Sequence, residues 1–163
     1  MSRVYSIKRK QKIPIGLNAA WNFFCKPDNL KQMVPANIHF TIAAPLESHV
    51  IYPGQIIKYK MATRFGFSLP WVTEITDVEE KQYFIDEQRK GPFSLWRHQH
   101  YFVEISDGIE MTDILHYKPR LGFVGDVLHV IFLKRRVKQI FNYRSKQLIH
   151  LFGEYIDREQ MHQ

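Results

Sequence analysis

Hydrophobic and polar residues alternate along the middle of the chain, from residue 37 to residue 118. A period of two predicts strands that bury one face and expose the other. Turn-forming residues such as Pro-Gly and Asp-Gly divide this region into six segments. Residues 4–11 also alternate, but they are rich in lysine and mixed on both faces, which predicts an edge strand. We therefore expect about seven strands, and the short connections between them predict antiparallel neighbours.

Helical spacing replaces the alternation in two places. Residues 14–35 carry apolar side chains at helical intervals and are interrupted by prolines, which predicts two short helices after the first strand. From residue 127 to about residue 155 the apolar positions recur with a helical period, and no glycine or proline intervenes before Gly153, which predicts one long amphipathic helix. A single helix covers a curved sheet incompletely. The order of elements predicts an α+β fold, one domain over residues 1–163, with a cavity between sheet and helix.

The composition favours a globular ligand-binding protein. Hydrophobic residues make up 45% and charged residues 24%, which excludes a disordered chain. Aromatic residues reach 14%, which suits a ligand cavity as well as a core. The one cysteine, Cys25, excludes an internal disulfide and is expected to be a packed apolar residue rather than a nucleophile. The chain shows no apolar run of the ~20 residues that a spanning helix needs and no signal-peptide pattern, so we expect a cytoplasmic protein.

Two histidines lie two positions apart in the segment LWRHQHYFVEI, residues 95–105. On a strand, His98 and His100 point to the same face as Trp96 and Phe102. The flanking aromatic residues suggest that this face is covered. The segment therefore predicts two histidines in the wall of a cavity.

The following hairpin gives a second indication of which face is buried. A two-residue Asp-Gly turn at 107–108 predicts that Ser106 pairs with Ile109, which places His100 opposite Leu115. The odd-numbered positions of the next strand are the more apolar ones, and direct partners share a face. The same argument places Asp86 of the preceding strand near the histidines. The predicted cavity wall consists of Phe84, Gln88, Trp96, His98, His100, Phe102, Met111, Asp113, Leu115 and Tyr117, with Asp86 as a further member.

A metal site is the first interpretation of the histidines. His98 and His100, with Glu104 four residues later, resemble the first metal-binding motif of the cupins, and i and i+2 residues on a strand can reach one ion. The second cupin motif is not found, and a long C-terminal helix is foreign to that fold. We therefore predict no metal and no cofactor.

Acid–base chemistry and simple ligand binding are the other two interpretations. His98 or His100 could transfer a proton with Asp113 or Asp86 as its partner, and Tyr117 could polarise a carbonyl, as a cyclisation or dehydration requires. Alternatively, the same groups hydrogen-bond one another and give the polar head of a ligand a place to bind. We favour binding without catalysis, because any polar cavity would contain these residue types.

The net charge of +7 is concentrated near the C-terminal helix. The cations of this region are expected on the outward face of the helix, and they are Lys118, Arg120, Lys134, Arg135, Arg136, Lys138, Arg144 and Lys146. If this face has a partner, an anionic membrane is favoured, with contact through Lys134, Arg135, Arg136 and Lys138. Nucleic acid is disfavoured, since the aromatic residues of the helix are needed for the core.

Three segments resemble a known family. FIDEQRKGPFSLWRHQHYF, MTDILHYKPRLGFVGD and the basic LKRRVKQIFNYR are similar to a bacterial ligand-binding branch of the SRPBCC superfamily, which includes START-like and polyketide cyclase/dehydrase-like proteins. The resemblance spans nearly the whole chain. It implies a helix-grip fold with a hydrophobic internal cavity, but no shared set of catalytic residues.

The expected function is binding of an apolar or amphipathic small molecule, which is lipid-, polyketide- or isoprenoid-like, between the sheet and the C-terminal helix. One alternative is a cyclase/dehydratase-like enzyme that uses a cavity histidine with an acidic partner. Another is an adaptor that contacts membrane or RNA through the basic helix.

Overall fold

The computed structural model describes residues 3–63, 68–120 and 132–157. The elements follow in the order β1 (Tyr5–Ile13), α1 (Leu17–Phe24), a 3-10 helix (Pro27–Gln32), β2 (Ile38–Ile42), β3 (Ile56–Thr63), β4 (Ser68–Glu79), β5 (Tyr83–Lys90), β6 (Phe93–Ile105), β7 (Gly108–Pro119) and α2 (Lys134–Phe152). Within these residues the seven strands form one antiparallel sheet in the order β1-β7-β6-β5-β4-β3-β2. The predicted α+β helix-grip fold is confirmed, including the two short helices after β1 and the edge position of β1.

The C-terminal end of the long helix lies a few residues earlier than the apolar pattern predicts. Helix α2 ends at Phe152, and Gly153 follows with a φ of 90°, a conformation that glycine adopts at helix ends without strain. The predicted start at residue 127 lies outside the described residues.

The turn between β6 and β7 lies one residue earlier than predicted, which shifts the register of the two strands by two residues. Ile105 pairs with Gly108, and Ser106 and Asp107 form the turn, with Asp107 at a φ of 60°. The predicted Asp-Gly turn is therefore wrong. Gly108 serves a different purpose, because a β-carbon there would collide with the carbonyl oxygen of Ile13 in the neighbouring strand. Close backbone approach, not turn geometry, requires a glycine at this position.

The true register brings opposite charges together. His100 lies opposite Asp113 instead of Leu115, and His98 lies opposite Leu115. On the other side of β6, Asp86 pairs with His98. A slip of two residues leaves every side chain on its predicted face, so the histidines still point inward.

Helix α2 packs on one side of the sheet only. Its buried side chains follow at steps of four, three and four residues, and they are Val137, Phe141, Arg144 and Leu148. Near its middle, the Gln11 side chain of β1 donates a hydrogen bond of 3.0 Å to the Ser145 carbonyl. The helix thus closes over β1 and β7 and leaves space above the strands from β2 to β6.

Candidate functional site

A cavity of about 860 Å³ occupies the space between α2 and the inner face of strands β2 to β6. This volume is within the range of small-molecule sites. The wall is mainly apolar, and its aromatic members are Phe24, Phe40, Tyr59, Trp71, Phe84, Phe93, Trp96 and Phe141. The rings pack against one another, as in the perpendicular contact of Trp71 with Trp96 at 5.2 Å between centroids. Such a wall favours an apolar or aromatic occupant.

The cavity has its solvent-exposed lining residues on both sides of the 3-10 helix, at Lys26 and Asn37, and at the beginning of α2, at Arg136. Leu30 lines it from the 3-10 helix, and Leu133 and Arg136 line it at the start of α2. Lys26 and Arg136 belong to the lining but are exposed to solvent. We define the cavity mouth by Lys26, Leu30, Leu133 and Arg136.

Four lining side chains and one residue behind them form a polar cluster. Asp86, His98 and His100 come from the sheet, and Arg144 comes from α2. Asp113 of β7 joins them from behind: its Oδ1 lies 2.7 Å from His100 Nδ1 and 3.5 Å from Arg144 Nη2. The other His100 nitrogen, Nε2, lies 3.0 Å from Asp86 Oδ2. His100 therefore bridges two carboxylates.

The surroundings push the pKa values of the two histidines in opposite directions. Burial alone would lower the pKa of His100, but its hydrogen bonds to Asp113 and Asp86 outweigh burial and raise it. Burial lowers the pKa of His98, and the charge of His100 lowers it further. Burial would raise the pKa of Asp113, but the charge of Arg144, the hydrogen bond from His100 and the nearby His98 hold it well below its usual range. These directions favour a charged His100 and an ionised Asp113 beside a neutral His98.

The cluster is incompletely hydrogen-bonded. His98 Nε2 and Arg144 Nε are buried and have no hydrogen-bond partner in the part of the chain that the structure describes. His98 Nε2 lies 3.2 Å from Asp113 Oδ1, but the two atoms are not aligned for a hydrogen bond. Buried polar atoms without partners cost stability. An acceptor group from a ligand that reached this end of the cavity would be stabilised there.

Asp86, His98 and His100 also have metal-ligand chemistry, since one donor atom of each lies within 4.8 Å of the others. Two imidazoles and a carboxylate suit a transition metal. The geometry fits a metal poorly, however. Both nitrogens of His100 face carboxylates, so an ion would have to displace a proton that those carboxylates stabilise, and Arg144 Nη2 lies 3.4 Å from His100 Nδ1. We therefore describe the cluster as a hydrogen-bonded ion-pair network.

The structure divides the predicted cavity wall into two groups. Phe84, Trp96, His98 and His100 line the cavity, together with Asp86. Among the described residues, the remaining six predicted members lie outside the lining, and they are Gln88, Phe102, Met111, Asp113, Leu115 and Tyr117.

The six residues lie outside the lining for two physical reasons. Five of them are side chains of β6 and β7 that are buried beside the cavity; Leu115 is 0% exposed, and the Phe102 ring packs on Trp21 of α1 at 5.6 Å between centroids. Gln88 instead closes the β5–β6 turn, where its Nε2 donates a 2.7 Å hydrogen bond to the Phe93 carbonyl. These residues form the core beside the cavity.

Arg144 is the site residue that the sequence analysis placed wrongly. Its charge suggested the outward face of the helix, but it is 8% exposed and lines the cavity. Its guanidinium lies 5.6 Å from the centre of the Phe24 ring. The spacing along the helix indicates this inward position, because residue 144 is seven residues after Val137 and therefore falls on the same apolar stripe.

Cys25 offers no nucleophile to the cavity. The thiol is buried, and burial raises its pKa to about 12. Only the thiolate is strongly nucleophilic. In the described part of the chain, Cys25 is also absent from the cavity lining.

No protein-family model and no curated protein matches the sequence. Solved structures share the fold. Protein CV1439 from Chromobacterium violaceum has a TM-score of 0.70 at 11% identity, over 92% of this chain and 98% of that one. Protein Ms6760 from Mycobacterium smegmatis has a TM-score of 0.63 at 19% identity, over 90% and 89%. Ara h 8.0201 has a TM-score of 0.63 at 12% identity, over 91% and 99%. At these identities the likeness shows the helix-grip fold alone.

Proposed function

We propose that this protein binds an amphipathic small molecule, lipid-, polyketide- or isoprenoid-like, in the cavity between α2 and the sheet. The observation that carries the proposal is the combination of an aromatic wall around about 860 Å³ with one polar cluster at its inner end. Ligand sites in proteins have this composition: apolar walls supply affinity, and a few polar groups fix the orientation. The resemblance of three sequence segments to ligand-binding SRPBCC proteins supports the same function. We also propose that the protein is located in the cytoplasm.

The ligand would bind with its polar head at the cluster and its apolar body along the aromatic wall. Arg144 Nε and His98 Nε2 have no partner among the described residues and can donate to a ligand, and Asp86 offers an acceptor, so a hydroxyl, carbonyl or carboxyl head finds a partner. Each square ångström of apolar surface removed from water contributes roughly 25 cal/mol. The apolar body of the ligand therefore supplies most of the binding affinity, and its polar head fixes its orientation in the cavity.

Filling the cavity tests this proposal. Val137 is buried on α2 and lines the cavity, so Val137→Phe places a ring in the ligand's space. We expect the affinity for N-phenyl-1-naphthylamine, a neutral apolar fluorophore, to fall by at least roughly tenfold, the loss of about 1.4 kcal/mol. Fluorescence titration measures the affinity, and thermal unfolding shows that the variant is folded.

The matched control makes the same substitution outside the cavity. Val103 is 57% exposed on β6, and Val103→Phe adds an equal volume at the surface. The control is expected to bind the fluorophore as the wild type does. Equal affinity of all three proteins would mean that the fluorophore binds elsewhere and would refute the proposed site.

A second candidate function is proton-transfer catalysis of the cyclase/dehydratase type. His98 and His100 lie side by side in the lining, with ring centroids 3.9 Å apart, and their pKa values shift in opposite directions. Neighbouring groups with separated pKa values can act as base and acid. A neutral His98 would remove a proton next to a carbonyl, and a charged His100 would protonate the leaving hydroxyl.

An assay for dehydration of a β-hydroxy ketone, followed by the absorbance of the enone product, distinguishes ligand binding alone from catalysis. For a catalyst, His98→Gln is expected to lower turnover by roughly 100-fold or more, the usual contribution of a general base, while fluorophore affinity persists. A wild-type protein that binds the ketone without forming the enone supports binding alone.

A further inference from the structure

Helix α2 carries an unusual charge distribution. Over Lys134–Phe152 it has no acidic residue, and its first turn contains three cations, Lys134, Arg135 and Arg136. No acidic residue lies three or four positions along α2 from any of them, so no ion pair within the helix offsets the repulsion among these cations. Folding stability alone therefore does not explain these residues.

The cations at this end are free among the described residues. Lys134, Arg135 and Lys138 are exposed, and within residues 3–63, 68–120 and 132–157 they form no ion pair. Arg136 is hydrogen-bonded, within the described part of the chain, to the Gln139 side chain alone, at 3.5 Å. No described acidic residue balances the positive charge of these four side chains.

An exposed apolar side chain and the cavity mouth lie at the same end of the helix. Phe132 is 63% exposed, although an aromatic ring of this size is normally covered. The next residue, Leu133, and one helical turn later Arg136 line the cavity mouth, with Lys26 also at the mouth. We call Phe132, Lys134, Arg135, Arg136 and Lys138 the basic end of α2.

We propose that the basic end of α2 docks on an anionic lipid bilayer and so places the cavity mouth at the membrane surface. Cations around an exposed aromatic ring complement a layer of anionic headgroups with an apolar interior beneath, and each Lys or Arg near such a surface contributes about fivefold in binding. The described residues contain no helix long and apolar enough to cross a membrane. The contact is therefore peripheral, and an apolar ligand enters or leaves the cavity without crossing bulk water.

A bilayer fits this surface better than RNA does. Single-stranded RNA is held by several aromatic side chains interleaved with cations, so that successive bases stack. The basic end of α2 exposes one ring, Phe132, while Phe141 is buried in the cavity wall. One ring suits insertion among lipid headgroups and gives no stacking platform.

Sedimentation with vesicles tests the proposal. We expect binding to phosphatidylcholine vesicles that contain 30% phosphatidylglycerol, and weaker binding as salt rises, because salt screens exposed charges. The combined substitutions Lys134→Gln, Arg135→Gln and Lys138→Gln are expected to weaken this binding on the order of 100-fold. Arg136 is retained because it lines the cavity, so fluorophore affinity stays at the wild-type value and reports an intact cavity.

A triple variant elsewhere provides the matched control. Lys8, Lys58 and Lys60 are exposed on β1 and β3, and their change to Gln removes the same charge. This control is expected to bind anionic vesicles nearly as well as the wild type. Equal weakening in both triple variants would show a general charge effect and overturn the proposal. So would wild-type binding to pure phosphatidylcholine at the same strength, or tighter binding to single-stranded RNA than to the anionic vesicles.

Discussion

Replacing Arg144 by methionine is expected to lower the free energy of unfolding by about 3 to 5 kcal/mol, the usual cost of removing one partner of a buried ion pair. Arg144 Nη2 lies 3.5 Å from Asp113 Oδ1, and each side chain is 10% exposed. Methionine fills much of the same space but leaves the Asp113 carboxylate buried with His100 as its remaining cationic partner. Urea unfolding, followed by tryptophan fluorescence, measures the loss.

The pH dependence of stability tests whether the Asp113 carboxylate causes the loss of unfolding free energy in Arg144→Met. Its folded pKa is held below the unfolded value, so its ionised form contributes stability above about pH 4, and this contribution is lost as pH falls through the folded pKa. Without Arg144 the folded pKa rises, and acid unfolding begins at a higher pH. Adding Asp113→Asn to Arg144→Met removes the stranded charge and is expected to recover part of the stability.

Lys146→Met is the matched control for the ion pair. Lys146 is exposed on the same helix, so its replacement is expected to change stability by at most about 0.5 kcal/mol. If Arg144→Met costs no more than this control, the buried ion pair does not stabilise the fold as we describe.

Replacing Leu115 by alanine is expected to cost about 2 to 5 kcal/mol of unfolding free energy and to leave fluorophore affinity unchanged. Leu115 is 0% exposed and packs in the core beside the cavity rather than in its lining. The lost methyl groups leave a void that the neighbouring side chains fill only partly. Denaturant unfolding and fluorophore titration on the same sample separate the two effects.

Phe40→Ala is expected to act mainly on fluorophore affinity, whereas Leu115→Ala acts on stability. Phe40 is half-buried on the edge strand β2 and lines the cavity, where its ring contacts Tyr59 at 4.6 Å between centroids. Its loss is expected to weaken the fluorophore while costing less stability than Leu115→Ala. If Leu115→Ala weakens the fluorophore as much as Phe40→Ala does, the cavity extends over β7 and our boundary is wrong.

The faces of the strands and the position of Asp86 near His98 could be predicted from the sequence, whereas the register between β6 and β7 could not. Alternation placed His98 and His100 inward, and a register error of two residues did not alter this, because side-chain direction repeats every two residues. The error did hide the contact of His100 with Asp113. Its source was Gly108, which looks like a turn glycine in the sequence but is required by the nearby carbonyl of Ile13.

The extent of the cavity lies beyond pattern analysis for a different reason. The position of α2 across the sheet decides which inward side chains become core and which become lining, and this position depends on packing between distant segments. Leu115 and Trp96 both point inward, yet only Trp96 lines the cavity. The spacing of Arg144 predicts the apolar stripe of α2 and its charge predicts the outward face, and the structure follows the spacing.

Native mass spectrometry would show whether the cavity holds a small organic molecule. The wild-type protein and Val137→Phe would be incubated with a bacterial lipid and small-molecule extract and compared with their denatured masses. We predict one adduct per chain of a few hundred daltons, the size of a typical pocket ligand, on the wild type and its loss from Val137→Phe. A wild-type protein without an adduct, or the same adduct on both proteins, would contradict the account.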